Sequence, residues 1–160
     1  SIAQFMEIKL IVVGKTKSSE LVRLINEYAK RINFYKKFKI IVVNSLKSKK
    51  NSEKEIKKIE GENVLKSIKK NELIFLLDES GKSFNSRKFA DFLSNKFKTN
   101  KSIVFVVGGA HGFSNEIKQN SNEIISLSEM TFSHQIIRLF FTEQVYRALT
   151  ILNNHPYHND

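Results

Sequence analysis

Three stretches of the chain carry residue types that can do chemistry. Val107-Gly108-Gly109-Ala110-His111-Gly112 directly follows the apolar run Ile103–Val107. Ligands of open α/β sheets sit beyond the carboxyl ends of strands, and glycines let backbone approach them closely. The spacing matches neither the dinucleotide pattern GxGxxG nor the phosphate-loop pattern GxxxxGK[ST]. Glycines also simply make turns, so this loop marks a candidate ligand site without naming the ligand. The second stretch, Leu127-Ser128-Glu129-Met130-Thr131-Phe132-Ser133-His134-Gln135, contains no Gly or Pro. Met, Phe and Thr in a loop suit the lining of an apolar pocket in which backbone polar groups remain available. His134 and Arg138 stand four apart and so share one helix face beside that loop. The plain alternative is a histidine that partners nearby backbone, and Glu143 with Arg147 is most simply an i,i+4 ion pair.

The third stretch is the tail His155-Pro156-Tyr157-His158. Two histidines three apart invite a metal, but Pro156 opposes a helix that would present both rings, and the reading is no metal. No serine sits in a GxSxG elbow. With no cysteine in the chain, thiolate zinc sites, iron–sulfur clusters, disulfides and cysteine nucleophiles are excluded together, as suits a reducing, cytoplasmic setting.

The elements that must position these residues follow from periodicity. Strands are expected over Glu7–Val13, Phe38–Val43, Glu72–Leu77, Ser102–Val107 and Glu123–Ser128. Between them come a helix capped by Ser18 or Ser19 and running to about Asn33, and a charged helix capped by Ser52. A third helix, capped by Ser86, turns Phe89, Phe92, Leu93 and Phe97 inward, and a short one starts at Ser114. Gly61 weakens the charged helix by up to ~1 kcal/mol relative to Ala. Asp78-Glu79-Ser80-Gly81 closes the third strand, and His134–Asn153 forms the long final helix. Strand and helix alternate with connections too long for hairpins, which implies a doubly wound α/β sheet of parallel strands.

The chain has 160 residues, the size of one domain, and 41% apolar residues suffice for a core. Ser1–Phe5 reads as an expression scar ahead of a natural start at Met6, leaving 6–160 as a single domain. The runs Leu73–Leu77 and Ile103–Val107 are far short of the ~20 residues that span a bilayer. Net charge is +11 and unevenly spread. Lys30–Lys70 holds 14 basic and 4 acidic residues, whereas Lys101–Asp160 holds 4 basic and 5 acidic. A basic front and a near-neutral back suggest that one part meets a polyanion such as RNA. A Lys- and Asn-heavy composition can equally reflect base bias or a solvated lysine face.

The last helix is apolar on more than one stripe, with Ile136, Ile137, Leu139, Phe140, Phe141, Val145, Tyr146, Leu149 and Leu152. Such a helix must bury a second face, and a homodimer through it is the expectation.

Five ordered blocks, MEIKLIVVGK, FVVGGAHG, SEMTFSHQIIR, EQVYRA and HPYH, resemble the RlmH-type branch of the SPOUT methyltransferases from Met6 to the C-terminus. The resemblance implies S-adenosylmethionine as cofactor, methylation at N3 of a pseudouridine in large-subunit ribosomal RNA of the ribosome, a homodimer and a C-terminal trefoil knot. It further implies a cofactor site at Leu77, Gly108, Leu127, Ser128, Glu129, Met130, Thr131 and Phe132. His134, Arg138, Tyr157 and His158 would then lie nearest the target base, with Arg138 on a developing uracil oxyanion, His158 or a water taking the proton, and Tyr157 stacking on the base. The chain departs from the family pattern at Glu129, Ser133 and Asn159. Other readings are a non-catalytic RNA-binding factor on the same scaffold, and a nucleotide- or flavin-binding protein, whose phosphate fingerprint is missing.

Overall fold

The computed structural model describes residues 6–160; Ser1–Phe5, read as an expression scar, lies outside the described residues. Five strands form a parallel sheet in the order β2-β1-β4-β3-β5: β1 (Ile8–Val13), β2 (Phe38–Val43), β3 (Leu73–Ser83), β4 (Ile103–Val107) and β5 (Glu123–Ser126). Helices α1 (Ser19–Tyr35), α2 (Glu53–Lys66), α3 (Ser86–Phe97), α4 (Asn115–Asn120) and α5 (Ile136–Leu152) connect the strands or follow the last one. The doubly wound α/β expectation is met.

The two faces of the sheet are read directly from strand alternation. Ile8, Leu10 and Val12 of β1 join Phe75, Phe105, Phe89, Phe141 and Val145 in the core beneath α1, α3 and α5. On the other face, Ile11 and Val13 join Leu76, Val104, Val106, Val64 and Ile117 beneath α2 and α4. Because β1 and β4 are covered on both faces, every residue of each is buried.

Caps fall close to their expected places, with instructive shifts. Ser18 caps α1, and Ser52 caps α2 in a box in which Glu55 N–H donates to Ser52 Oγ at 3.2 Å and Ser52 Oγ–H donates back to Oε1 at 3.0 Å. For α3 the cap is Asn85, not Ser86: Asn85 Oδ1 accepts from Lys88 N at 2.8 Å. Ser86 Oγ is thereby free to donate to Gln144 on α5 at 2.8 Å.

Strand β3 runs past its expected end. Leu77 and Lys82 both stand opposite Ile125 of β5, so the four residues between them loop out and the chain returns to the ladder. Gly81 permits the return, since a Cβ there would sit 2.6 Å from the Ile124 backbone. Conversely, β5 stops at Ser126, short of Ser128, because Ser126 Oγ donates to Ser128 O at 2.6 Å and accepts from Ser128 N at 3.1 Å, turning the chain. Helix α5 begins at Ile136, so His134 precedes the helix it was expected to open.

Candidate functional site

At the carboxyl ends of β4 and β5 and the loop-out of β3, three segments enclose a cleft of about 460 Å³. Leu77, Asp78 and Glu79 contribute one wall, the glycine loop 108–112 a second, and the chain from Ser126 to His134 a third. Its size lies within the range of small-molecule sites. Leu77, Gly108, Leu127, Ser128, Met130, Thr131 and Phe132 all line it, whereas Glu129 does not and is exposed.

The glycine loop leaves β4 and closes on itself where Gly112 N donates to Gly109 O at 3.1 Å. Gly112 has φ +81°, a conformation open to glycine at little cost. Behind Gly108 lies the Phe113 ring, which a Cβ would meet at 3.1 Å. His111 Nδ1 stands 2.9 Å from Glu53 Oε1, tying the loop to the first turn of α2.

Serine hydroxyls shape the third wall in place of glycine or proline. Beyond the Ser126 turn, Ser128 Oγ accepts from Met130 N at 3.0 Å, and Ser133 Oγ accepts from Ile136 N at 3.1 Å at the start of α5. The apolar side chains of this wall stay available to a ligand: Met130 is 73% exposed, and Phe132 meets Phe140 edge-on at 5.3 Å. Asp78 and Glu79 supply carboxylates that the sequence reading treats only as a turn; the signal was two acidic residues ending an apolar strand.

His134 lines the cleft, and burial, then Arg138, then Lys17 lower its pKa from the usual histidine value, which leaves the ring neutral at pH 7. Arg138 is placed differently from the expectation that it faces a substrate. It is 1% exposed; Nε donates to His134 O at 2.9 Å, Nη1 to Gly14 O at 2.8 Å and Thr16 Oγ1 at 2.9 Å, and Nη2 to Val13 O at 2.9 Å. It clamps the end of β1 to the start of α5. Gln135 repeats the clamp one turn away, accepting from Lys17 N at 2.8 Å and donating to Lys15 O at 3.2 Å.

The structure does not bring the tail to this cleft within one chain. Tyr157 packs edge-on against Tyr146 at 4.8 Å and donates to Glu143 Oε1 at 2.9 Å; burial, with Tyr28 and Glu143, raises its pKa well above the usual phenol range. His158 Nδ1 lies 3.1 Å from Arg147 Nη1, and Arg147 is bidentate to Glu143 Oε1. Tyr157 and Arg147 line a second groove of about 770 Å³, mostly apolar, which shares Ser126, Leu127, Ser128 and Phe132 with the cleft.

The family profile described as "Predicted SPOUT methyltransferase" matches residues 6–158. The class that fold and sequence define is therefore settled: the chain belongs to the SPOUT methyltransferase family. Among particular relatives, it is 50% identical over 157 residues to a Parabacteroides distasonis protein named "Ribosomal RNA large subunit methyltransferase H", covering 97% of this chain and all of that one. A Christiangramia forsetii protein of the same name is 46% identical over 156 residues, covering 96% and 99%. The crystal structure of a probable methyltransferase from Bordetella pertussis Tohama I shares the fold at TM-score 0.56 and 10% identity, covering 92% of this chain and 97% of that one.

Proposed function

We propose that this protein is an S-adenosylmethionine-dependent methyltransferase of large-subunit ribosomal RNA, methylating N3 of a pseudouridine. The names of its close full-length relatives support the RNA substrate. The observation that carries the reading is the convergence of Leu77, Gly108 and the 127–132 loop, separated by up to about a third of the chain, on one cleft. That lining suits the cofactor: apolar Leu77, Leu127, Met130 and Phe132 for a base, backbone amides and hydroxyls for ribose and carboxylate, and Asp78 and Glu79 for an amino group. When bound, S-adenosylmethionine supplies an electrophilic methyl, so the chain need provide neither nucleophile nor metal.

What the residues must do is align the base and handle its N3 proton. Neutral His134 at the cleft rim has a ring nitrogen lone pair that can accept that proton directly or through water. Arg138 serves as a positioning residue, fixing His134 through its carbonyl. Tyr157 and His158 remain groups of the substrate side, across the wall that the second groove shares with the cleft. The reading includes a single domain over 6–160, a C-terminal trefoil knot, cytoplasmic location and a homodimer through α5. It also makes the assembled ribosome the substrate, since the cleft lining contains no Lys or Arg and the described residues form one domain with no separate RNA-binding module.

The test is methyl transfer from labelled S-adenosylmethionine to free rRNA, isolated large subunits and whole ribosomes, followed by mapping of the labelled base. Label at one pseudouridine N3 is expected. A folded protein that gives no calorimetric signal with S-adenosylmethionine and transfers no label would instead be an RNA-binding factor on this scaffold.

A further inference from the structure

Glu60 stands out among the buried ionisable groups that the proposed chemistry does not use. It lies on α2 behind the glycine loop and is 5% exposed. Oε2 accepts from Leu46 N at 3.3 Å, while Oε1 has no hydrogen-bond partner among the described residues. Burial raises its pKa above the usual carboxylate value, against the lowering by Leu46 and His111. A buried carboxyl oxygen without a donor costs free energy that an apolar side chain of similar volume would not. A core selected for packing alone would hold Leu or Met here.

Oε1 is aimed at the glycine loop. A Cβ on Gly109 would lie 2.8 Å from Oε1 and 3.3 Å from Oε2, so the carboxyl fills the space that any other residue at 109 would need. The remaining space there is about 10 Å³, lined by Lys57, Glu60, Gly109 and Phe113 among others, and holds at most one water. The Phe113 ring backs Gly108 in the same way. Glu60 thus joins three segments: the chain after β2 at Leu46, helix α2, and the rear of the loop whose front lines the cleft.

We infer that Glu60 is a positioning residue for the cofactor: its carboxyl, wedged between Leu46 N and Gly109, holds the glycine loop in its ligand-binding shape. The inference rests on the cleft being the S-adenosylmethionine site. Loop mobility would be paid at the binding step, so the contact acts on affinity and not on the methyl-transfer step.

The test uses the full chain with Glu60→Ala, Glu60→Asp, Glu60→Gln, Gly109→Ala and the Glu60→Ala/Gly109→Ala double variant. Calorimetry gives S-adenosylmethionine affinity, hydrogen exchange reports residues 108–112 in the ligand-free protein, and kinetics give KM for each substrate. Glu60→Ala and Glu60→Asp are expected to weaken cofactor affinity about tenfold, raise KM for the cofactor but not for RNA, and speed exchange in the loop. Glu60→Gln keeps the shape and the acceptor for Leu46 N and should stay within about threefold of wild type. Gly109→Ala should weaken binding alone yet add less than about twofold on top of Glu60→Ala, because the clash has gone. General destabilisation would lower the active fraction and leave KM unchanged. Wild-type affinity and loop exchange in folded Glu60→Ala, or fully additive effects in the double variant, would overturn the inference; should Glu60→Ala not fold, the Asp and Gln variants decide it. A wild-type protein that does not bind the cofactor sinks the activity reading, while the exchange comparison still judges the strut.

Discussion

Arg138 shows how far residue type alone leaves a role open. In an RNA-modifying site an arginine invites a part in charge stabilisation, yet here its fork closes on Val13, Gly14, Thr16 and His134. Truncation would strand the buried Val13 carbonyl and the half-buried carbonyls of Gly14 and His134, so Arg138→Ala should cost about 2–4 kcal/mol in denaturant unfolding. Arg138→Lys should not restore it, because an ammonium cannot span the same acceptors. His134 offers a second measurement. Its folded pKa lies below the unfolded value through burial, Arg138 and Lys17. The unfolded chain therefore binds the proton first, and stability falls as pH drops below about 6.5 towards the folded pKa. The melting temperature of wild type should fall more between pH 7.5 and pH 5.5 than that of His134→Gln; parallel profiles would show that the ring is not shifted.

Helix α2 is the element whose sequence misleads most. Gly61 in its middle looks like a weakness that alanine would repair. In the fold, a Cβ at 61 would meet Ser114 Oγ at 2.8 Å, and that hydroxyl is engaged as the cap of α4, accepting from Ile117 N. Gly61→Ala should therefore lower stability by about 1 kcal/mol, set by the displaced cap and not by helix propensity. Adding Ser114→Gly, a tolerated cap residue, should recover most of the loss in thermal melts. The same helix braces the glycine loop through Glu53 and Glu60, so its packing and the cleft's geometry are one problem.

For the whole molecule, the open question is what covers the outer stripe of α5. Phe140 is 40% exposed beside Phe132, next to a mostly apolar groove. Exposed aromatic surface of this kind marks an interface, and the proposed homodimer would bury it. Phe140→Asp should give a monomer in sedimentation velocity; an unchanged sedimentation coefficient would place the dimer contact elsewhere. The basic run Lys30–Lys70 falls on the end of α1, on β2 and on α2 and contributes no residue to the cleft lining. It can meet ribosomal phosphate without touching the reacting base.

Sequence by itself was enough for the strands, the helices, four of the five helix starts to within a residue, and two of the loops that meet in the cleft, 108–112 and 127–135; the third, at Leu77, came from the family resemblance. These depend on apolar periodicity, cap residues and glycines, which act over a few neighbouring positions. Tertiary structure alone decided that β3 resumes after looping out at 78–81, that Arg138 is a clamp, that the tail folds onto α5, and that Glu60 backs Gly109. Each depends on which groups from separate elements come within contact distance, something that no local pattern encodes.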